Sequence, residues 1–223
     1  RNRLSDFTNI MANGKIAMKL DDGDELIGVS TCTTNDDVLL AARSGKCIRF
    51  FVTDVRVCTG RTSTGVRGIR LADDDRVISM SILRHSVAER EERETYLRYA
   101  GAQRRAEGSD PDGNGNGNGN GNGNGAAGLQ VSLGEDEIAA LAEAEEFILS
   151  VTENGYGKRT SAYEYRITNR GGQGIANIET SERNGPVVAS FPVNATDQIM
   201  LVTDGGQLIR SPVIDVRIAG RRT

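Results

Sequence analysis

A single histidine, His85, narrows the chemistry open to this 223-residue chain. Ser–His and Cys–His schemes both need an imidazole beside the nucleophile, and His85 borders an acidic stretch where an exposed position is expected. Cys32, Cys47 and Cys58 show no Cys-x-x-Cys pairing. That argues against a zinc site or a disulfide framework and for reduced thiols. Asp21-Asp22-Gly23-Asp24 and Asp73-Asp74-Asp75 are metal-ligand types, but they occupy the same point of successive repeats and read as solvated acidic turns. Neither a Walker phosphate loop nor a Gly-x-Gly-x-x-Gly run is present. Tyr156, Tyr163 and Tyr165 have no activating set around them, and strand aromatics usually pack. No catalytic or metal-ligating set is expected.

The basic residues recur instead. Lys46 and Arg49 follow one turn, Lys158 and Arg159 follow the next, and Arg210 follows a third. The connections after them carry Arg56 and Arg61, then Arg166 and Arg170, then Arg217, Arg221 and Arg222; Arg67 joins the set from a second kind of segment. Equivalent positions around a radially repeated body would form a belt able to track a phosphate backbone. The residues leave a second reading open, solvated strand charges paired across strands. Few aromatics and no Trp argue against base stacking and single-strand binding.

The net charge of −4 conceals two parts. Residues 86–146 hold five Lys/Arg against thirteen Asp/Glu, a net of −8, and the remainder carries +4. The body's charge is the one that bears on partners.

What must position these cations is a repeat. One half-unit, an acidic residue, an apolar strand, a small turn and a basic strand, spans Asp37–Phe51, Glu146–Thr160 and Asp197–Ser211. The other, which starts at a glycine and passes through an acidic turn, spans Gly14–Val29, Gly65–Met80 and Gly174–Ser190. The steps Gly14 to Gly65 and Gly155 to Gly206 are both 51 residues. Two hairpins per unit give four strands, the size of a propeller blade, and blades must stack to bury their faces. The expected fold is therefore all-β, a radially repeating array of four-stranded blades with one helical insertion. Its parts are 1–85, the first blades; 86–145, the insertion; and 146–223, the second blades. The chain begins and ends in mid-repeat and starts at Arg1, so it is expected to be a piece of a longer protein or one whose end halves pair; the sequence leaves both open.

In the insertion, Ser86–Glu89 and Ser132–Glu135 carry helix-capping patterns, and six Asn-Gly pairs at 114–125 read as a disordered loop. The segment reads as a tolerated surface insertion, or as an acidic arm that competes with DNA or docks a partner. No run of 18 apolar residues spans a membrane, and no signal peptide is evident.

GVRGIRL at Gly65–Leu71, ENGYGKRT at Glu153–Thr160, ERNG at Glu182–Gly185, DQIMLVTDGGQLIR at Asp197–Arg210 and DDGDELIGV at Asp21–Val29 together resemble the C-terminal domain of the bacterial DNA gyrase A protein. The resemblance covers nearly all of 1–85 and 146–223. It implies a six-bladed β-pinwheel whose blades exchange strands and whose basic rim wraps duplex DNA without sequence preference. It also implies a place beside the rest of the gyrase A protein and the gyrase B protein in a cytoplasmic, nucleoid-associated heterotetramer. ATP with magnesium, used in other domains, drives negative supercoiling there; this chain is expected to hold no cofactor and no catalytic centre. The family's wrapping box, Gln-Arg-Arg-Gly-Gly-Lys-Gly, is expected upstream of Arg1. Gln103-Arg104-Arg105 is followed by Ala106-Glu107-Gly108 and is a chance likeness. The related domain of the topoisomerase IV A protein, and a propeller-like protein-interaction module, are the alternatives.

Overall fold

The three small turns close three hairpins in the computed structural model, which describes residues 1–108 and 133–222. Strands β1 (Asp36–Ala42) and β2 (Lys46–Phe51) pair antiparallel with Leu39 opposite Arg49. Strands β4 (Phe147–Thr152) and β5 (Gly157–Ser161) set Leu149 opposite Arg159. Strands β8 (Gln198–Val202) and β9 (Leu208–Pro212) set Met200 opposite Arg210. Arg49, Arg159 and Arg210 are thus one repeat position. Each hairpin runs into a single 3-10 turn, Val52–Asp54, Ala162–Glu164 and Val213–Asp215.

The second half-units depart from the expected hairpins. Only their later strand returns to its own unit. Strand β3 (Val77–Arg84) pairs with β1, and β7 (Val187–Val193) pairs with β4. The earlier strand crosses to the preceding unit, where β6 (Ile175–Ala176) pairs with β2 and gives the order β3-β1-β2-β6. The segment before it already runs there, because the Thr168 N–H donates to the Arg49 carbonyl at 2.8 Å. One unit later the Ala219 N–H donates to the Arg159 carbonyl, also at 2.8 Å. Crossing needs close approach, and Gly174 supplies it. Its φ is +74°, and a Cβ there would lie 2.4 Å from the Cys47 carbonyl oxygen. Residues 14–29, read as a second half-unit, form no strand. A ladder needs a partner, and residues 1–13 hold no hairpin to provide one.

The core alternates with the pleat. Leu39, Ala41, Cys47 and Leu83 face Ile148, Ala162 and Tyr165 of the next unit, while Val38, Ile48, Phe50, Val52 and Ile69 pack on the other face. Leu149, Val151 and Val193 meet Val213 of the third unit. Full burial of each large side chain stabilises by about 1.5–3 kcal/mol. Because β1 and β2 are buried on both faces, alternation there does not separate inside from outside.

Two helices lie between β3 and β4, α1 (Arg90–Ala106) and α2 (Glu135–Ala144). Their caps fall later than the sequence patterns suggested. The Glu89 N–H donates to the Glu92 carboxylate at 2.7 Å, and the Gly134 N–H donates to Glu137 at 2.8 Å. The Asn-Gly tract lies outside the described residues.

Candidate nucleic-acid interface

The recurring cations fall into three sets with three different fates. The first set is Arg49, Arg159 and Arg210. Arg49 was expected on the rim and is instead 2 % exposed. Its guanidinium pairs with Asp37 at 2.7 Å and donates to the Ala162 carbonyl at 2.8 Å and the Arg84 carbonyl at 3.1 Å. Arg159, also expected outside, is buried. It donates to the Val216 carbonyl at 2.7 Å and the Ile214 carbonyl at 2.9 Å. Where unit 1 has Asp37, unit 2 has Phe147, and the Arg159 guanidinium lies 5.9 Å from that ring centroid. Both arginines therefore reach forward to the 3-10 turn of the following unit. Among the described residues no such turn lies beside Arg210, which is exposed.

Lys158 is a further correction. It is buried, and its Nζ donates to the Gly220 and Arg221 carbonyls at 2.5 and 2.7 Å. Burial pushes its pKa down to about 8; Glu164 opposes the shift, and Arg221 adds to it. It stands where the register puts Ile48 and Ile209 in the other units.

The second set is Arg61, Arg170 and Arg221, all half-buried. Each reaches backward to a carbonyl of the preceding second half-unit. Arg61 donates to Ile16 at 3.1 Å, Arg170 to Arg67, and Arg221 to Ala176. Arg170 also holds the Asp54 carbonyl at 3.2 Å, and Arg221 holds that of Glu164 at 2.9 Å. These three stitch neighbouring units together.

The third set is Arg56, Arg166 and Arg217. Each stands two residues after the acid that ends its 3-10 turn, Asp54, Glu164 or Asp215. All three are exposed. Lys46, Arg67 and Arg222 are exposed as well. The exposed cations are therefore fewer than the sequence suggested, and the ones that recur in every unit are the arginines at the start of each crossing segment.

The side chains weighed for catalysis are engaged in structure. Tyr165 is fully buried and donates to Asn177 at 2.6 Å; Tyr163 donates to the Leu141 carbonyl at 2.8 Å. Tyr156 accepts from Arg183 at 3.1 Å. His85 is less exposed than expected, with its Nδ1 3.2 Å from Asp37 and its ring 5.0 Å from that of Phe51. Cys47 is buried, which pushes its thiol up to about 12. Asp75 clamps a turn by accepting from the Ser44 hydroxyl at 2.6 Å. Among the described residues no group of three His, Cys, Asp or Glu is arranged to hold a metal.

The chain matches the family model described as DNA gyrase C-terminal domain, beta-propeller, over residues 1–33, 36–84, 146–194 and 197–223. The matched segments leave out 85–145, which contains α1 and α2. It is 54% identical over 226 residues to the DNA gyrase A protein of Granulibacter bethesdensis, covering 100% of this chain and 24% of that protein. Against the DNA gyrase A protein of Rickettsia bellii it is 47% identical, covering 100% and 23%. It thus spans about a quarter of the length of these relatives. Among solved structures, the C-terminal domain of a DNA topoisomerase IV superposes with a TM-score of 0.66 at 14% identity, covering 100% of this chain and 51% of that one. A DNA gyrase A C-terminal domain superposes at 0.64 with 20% identity, covering 99% and 54%. At these identities the structures bear on the fold alone, which is the propeller-like one expected.

Proposed function

This chain belongs to the family of DNA gyrase C-terminal domains of β-propeller type, and from that premise we propose that it binds and bends duplex DNA through its exposed arginines. In this reading residues 86–145 are an insertion between two stretches of blades, 1–85 and 146–223. The chain works within the gyrase A protein, beside the gyrase B protein in a cytoplasmic heterotetramer, and wraps DNA so that strand passage introduces negative supercoils. The ATP-driven and DNA-cleaving steps belong to other parts of that assembly, and this chain calls on no cofactor of its own.

The observation that carries the reading is the split among equivalent arginines. Arg49 and Arg159 are buried and Arg61, Arg170 and Arg221 half-buried, while Arg56, Arg166 and Arg217 recur exposed at one position per unit. Guanidinium groups so repeated fit phosphates, which fix position on a duplex without reading its bases. Each neutralised phosphate releases counterions and adds about 0.9 to the salt slope of binding. Smooth bending of a 20–30 base-pair site by 40–90° costs on the order of 1–6 kcal/mol, which several such contacts offset.

The test is fluorescence anisotropy of a labelled duplex of roughly 40 base pairs, titrated from low to moderate salt. Binding without sequence preference that weakens steeply with salt is the expected result. No binding at low salt would defeat the reading.

A further inference from the structure

The end of α1 is a second concentration of cations, and the repeat does not account for it. The helix is acidic at its start, with Glu91 and Glu92 in the first turn, and basic in its last, with Arg104 and Arg105. Its docking is fixed. Tyr96 meets the Tyr163 ring edge-on at 5.7 Å, the Tyr96 hydroxyl donates to Glu145 at 2.8 Å, and the Tyr163 hydroxyl donates to the Leu141 carbonyl. Tyr163 is the middle residue of the 3-10 turn Ala162–Glu164, from which the segment bearing Arg166 departs.

This docking sets α1 against the 3-10 turn that precedes Arg166. The Arg104 charge acts favourably on Glu164, two residues before Arg166. It also reaches Arg159, whose guanidinium rests on the Val216 carbonyl beside Arg217. Burial lowers the Arg159 pKa most, and repulsion from Arg104 lowers it further. Of the nearby acids, one Glu164 oxygen accepts from the Arg221 N–H and one Glu145 oxygen accepts from Tyr96. Among the described residues, neither the Arg104 nor the Arg105 side chain has a hydrogen bond or ion pair, and Arg105 is exposed. Two guanidinium groups side by side at a helix end, with no hydrogen bond of their own among the described residues, suit a polyanion.

We propose that the insertion is a DNA-contacting element, in which the last turn of α1 presents Arg104 and Arg105 to the phosphate backbone of a duplex passing Arg166 and Arg217. The proposal rests on the DNA-binding reading. It departs from both readings of this acidic segment, a tolerated surface insertion and an arm that competes with DNA or docks a partner.

The experiment compares the salt dependence of binding to the same duplex for the unaltered chain, the double variant Arg104→Ala/Arg105→Ala, and Arg166→Ala. The double variant is expected to flatten the slope by about one to two units, at roughly 0.9 per lost phosphate contact, with its thermal midpoint unchanged. Because Arg104 is half-buried, Arg105→Glu alone serves as a second variant and is expected to weaken binding and flatten the slope. An unchanged slope in both, or tighter binding, while Arg166→Ala still flattens it, overturns the proposal and leaves the DNA reading standing. If the unaltered chain binds no duplex, the reading falls and the proposal with it.

Discussion

Arg49 and Arg210 occupy the same register position in two hairpins and have opposite environments. Arg49 is enclosed by Asp37, the Ala162 turn and β3, while Arg210 is exposed, with no following turn beside it among the described residues. The strands differ in the same way. Every residue of β1 is buried or half-buried, whereas β8 buries only alternate residues, and those partly. A repeated basic residue therefore does not announce a ligand. Its role follows from whether a neighbouring unit offers carbonyls to it.

The sharpest way to break this comparison is to remove the guanidinium at each position. Arg49→Met leaves the Asp37 carboxylate buried without its guanidinium partner and takes a donor from the Ala162 and Arg84 carbonyls, the first of which keeps the Tyr165 N–H. A loss of about 3–5 kcal/mol is expected. Arg210→Met is expected to stay within about 0.5 kcal/mol. Urea unfolding of both variants checks the contrast, and equal losses would show that burial does not separate the two sites.

A smaller contrast lies in the glycines. Gly174 and Gly14 share a positive φ, but a Cβ at Gly174 meets the Cys47 carbonyl at 2.4 Å, while one at Gly14 meets open space. Gly14→Ala should lose only the conformational strain, about 1–2 kcal/mol. Gly174→Ala should lose more, because two units must move apart. Thermal unfolding of the pair decides it.

The pH dependence sharpens the comparison at Lys158. Its folded pKa of about 8 lies below the ordinary lysine value of 10.5, so the unfolded chain holds more protons between those values and stability rises with pH across that window. Cys47 acts oppositely. Its thiol is raised from 9.0 to about 12, so stability falls as pH climbs through that interval. The two offset each other from about pH 9 to 10.5. Lys158→Met should expose the fall and Cys47→Ala the rise, each with a slope near 1.4 kcal/mol per pH unit. Parallel profiles in the two variants would contradict these assignments.

Much of this architecture was legible in the residues. The half-units gave the hairpins, the 51-residue step gave the units, and GVRGIRL and DQIMLVTDGGQLIR pointed to the family. The destination of the earlier strand of each second half-unit was not legible, because Ile175–Ala176 carries the same apolar pattern whether it pairs with its own unit or the one before. Nor was the burial of Arg49, Lys158 and Arg159 legible, since β2 and β5 are enclosed on both faces and period-two alternation has no outside there. The signal that does mark the exposed set is a spacing. Asp54/Arg56, Glu164/Arg166 and Asp215/Arg217 repeat one acid-x-Arg pattern in all three units.

That exposed set carries the central claim, and the salt dependence of duplex binding tests it in the triple variant Arg56→Ala/Arg166→Ala/Arg217→Ala. If these arginines hold phosphates, the slope of log affinity against log salt should fall by about two to three units from that of the unaltered chain, with the fold intact by circular dichroism. A slope that does not change would place the DNA elsewhere and contradict the belt.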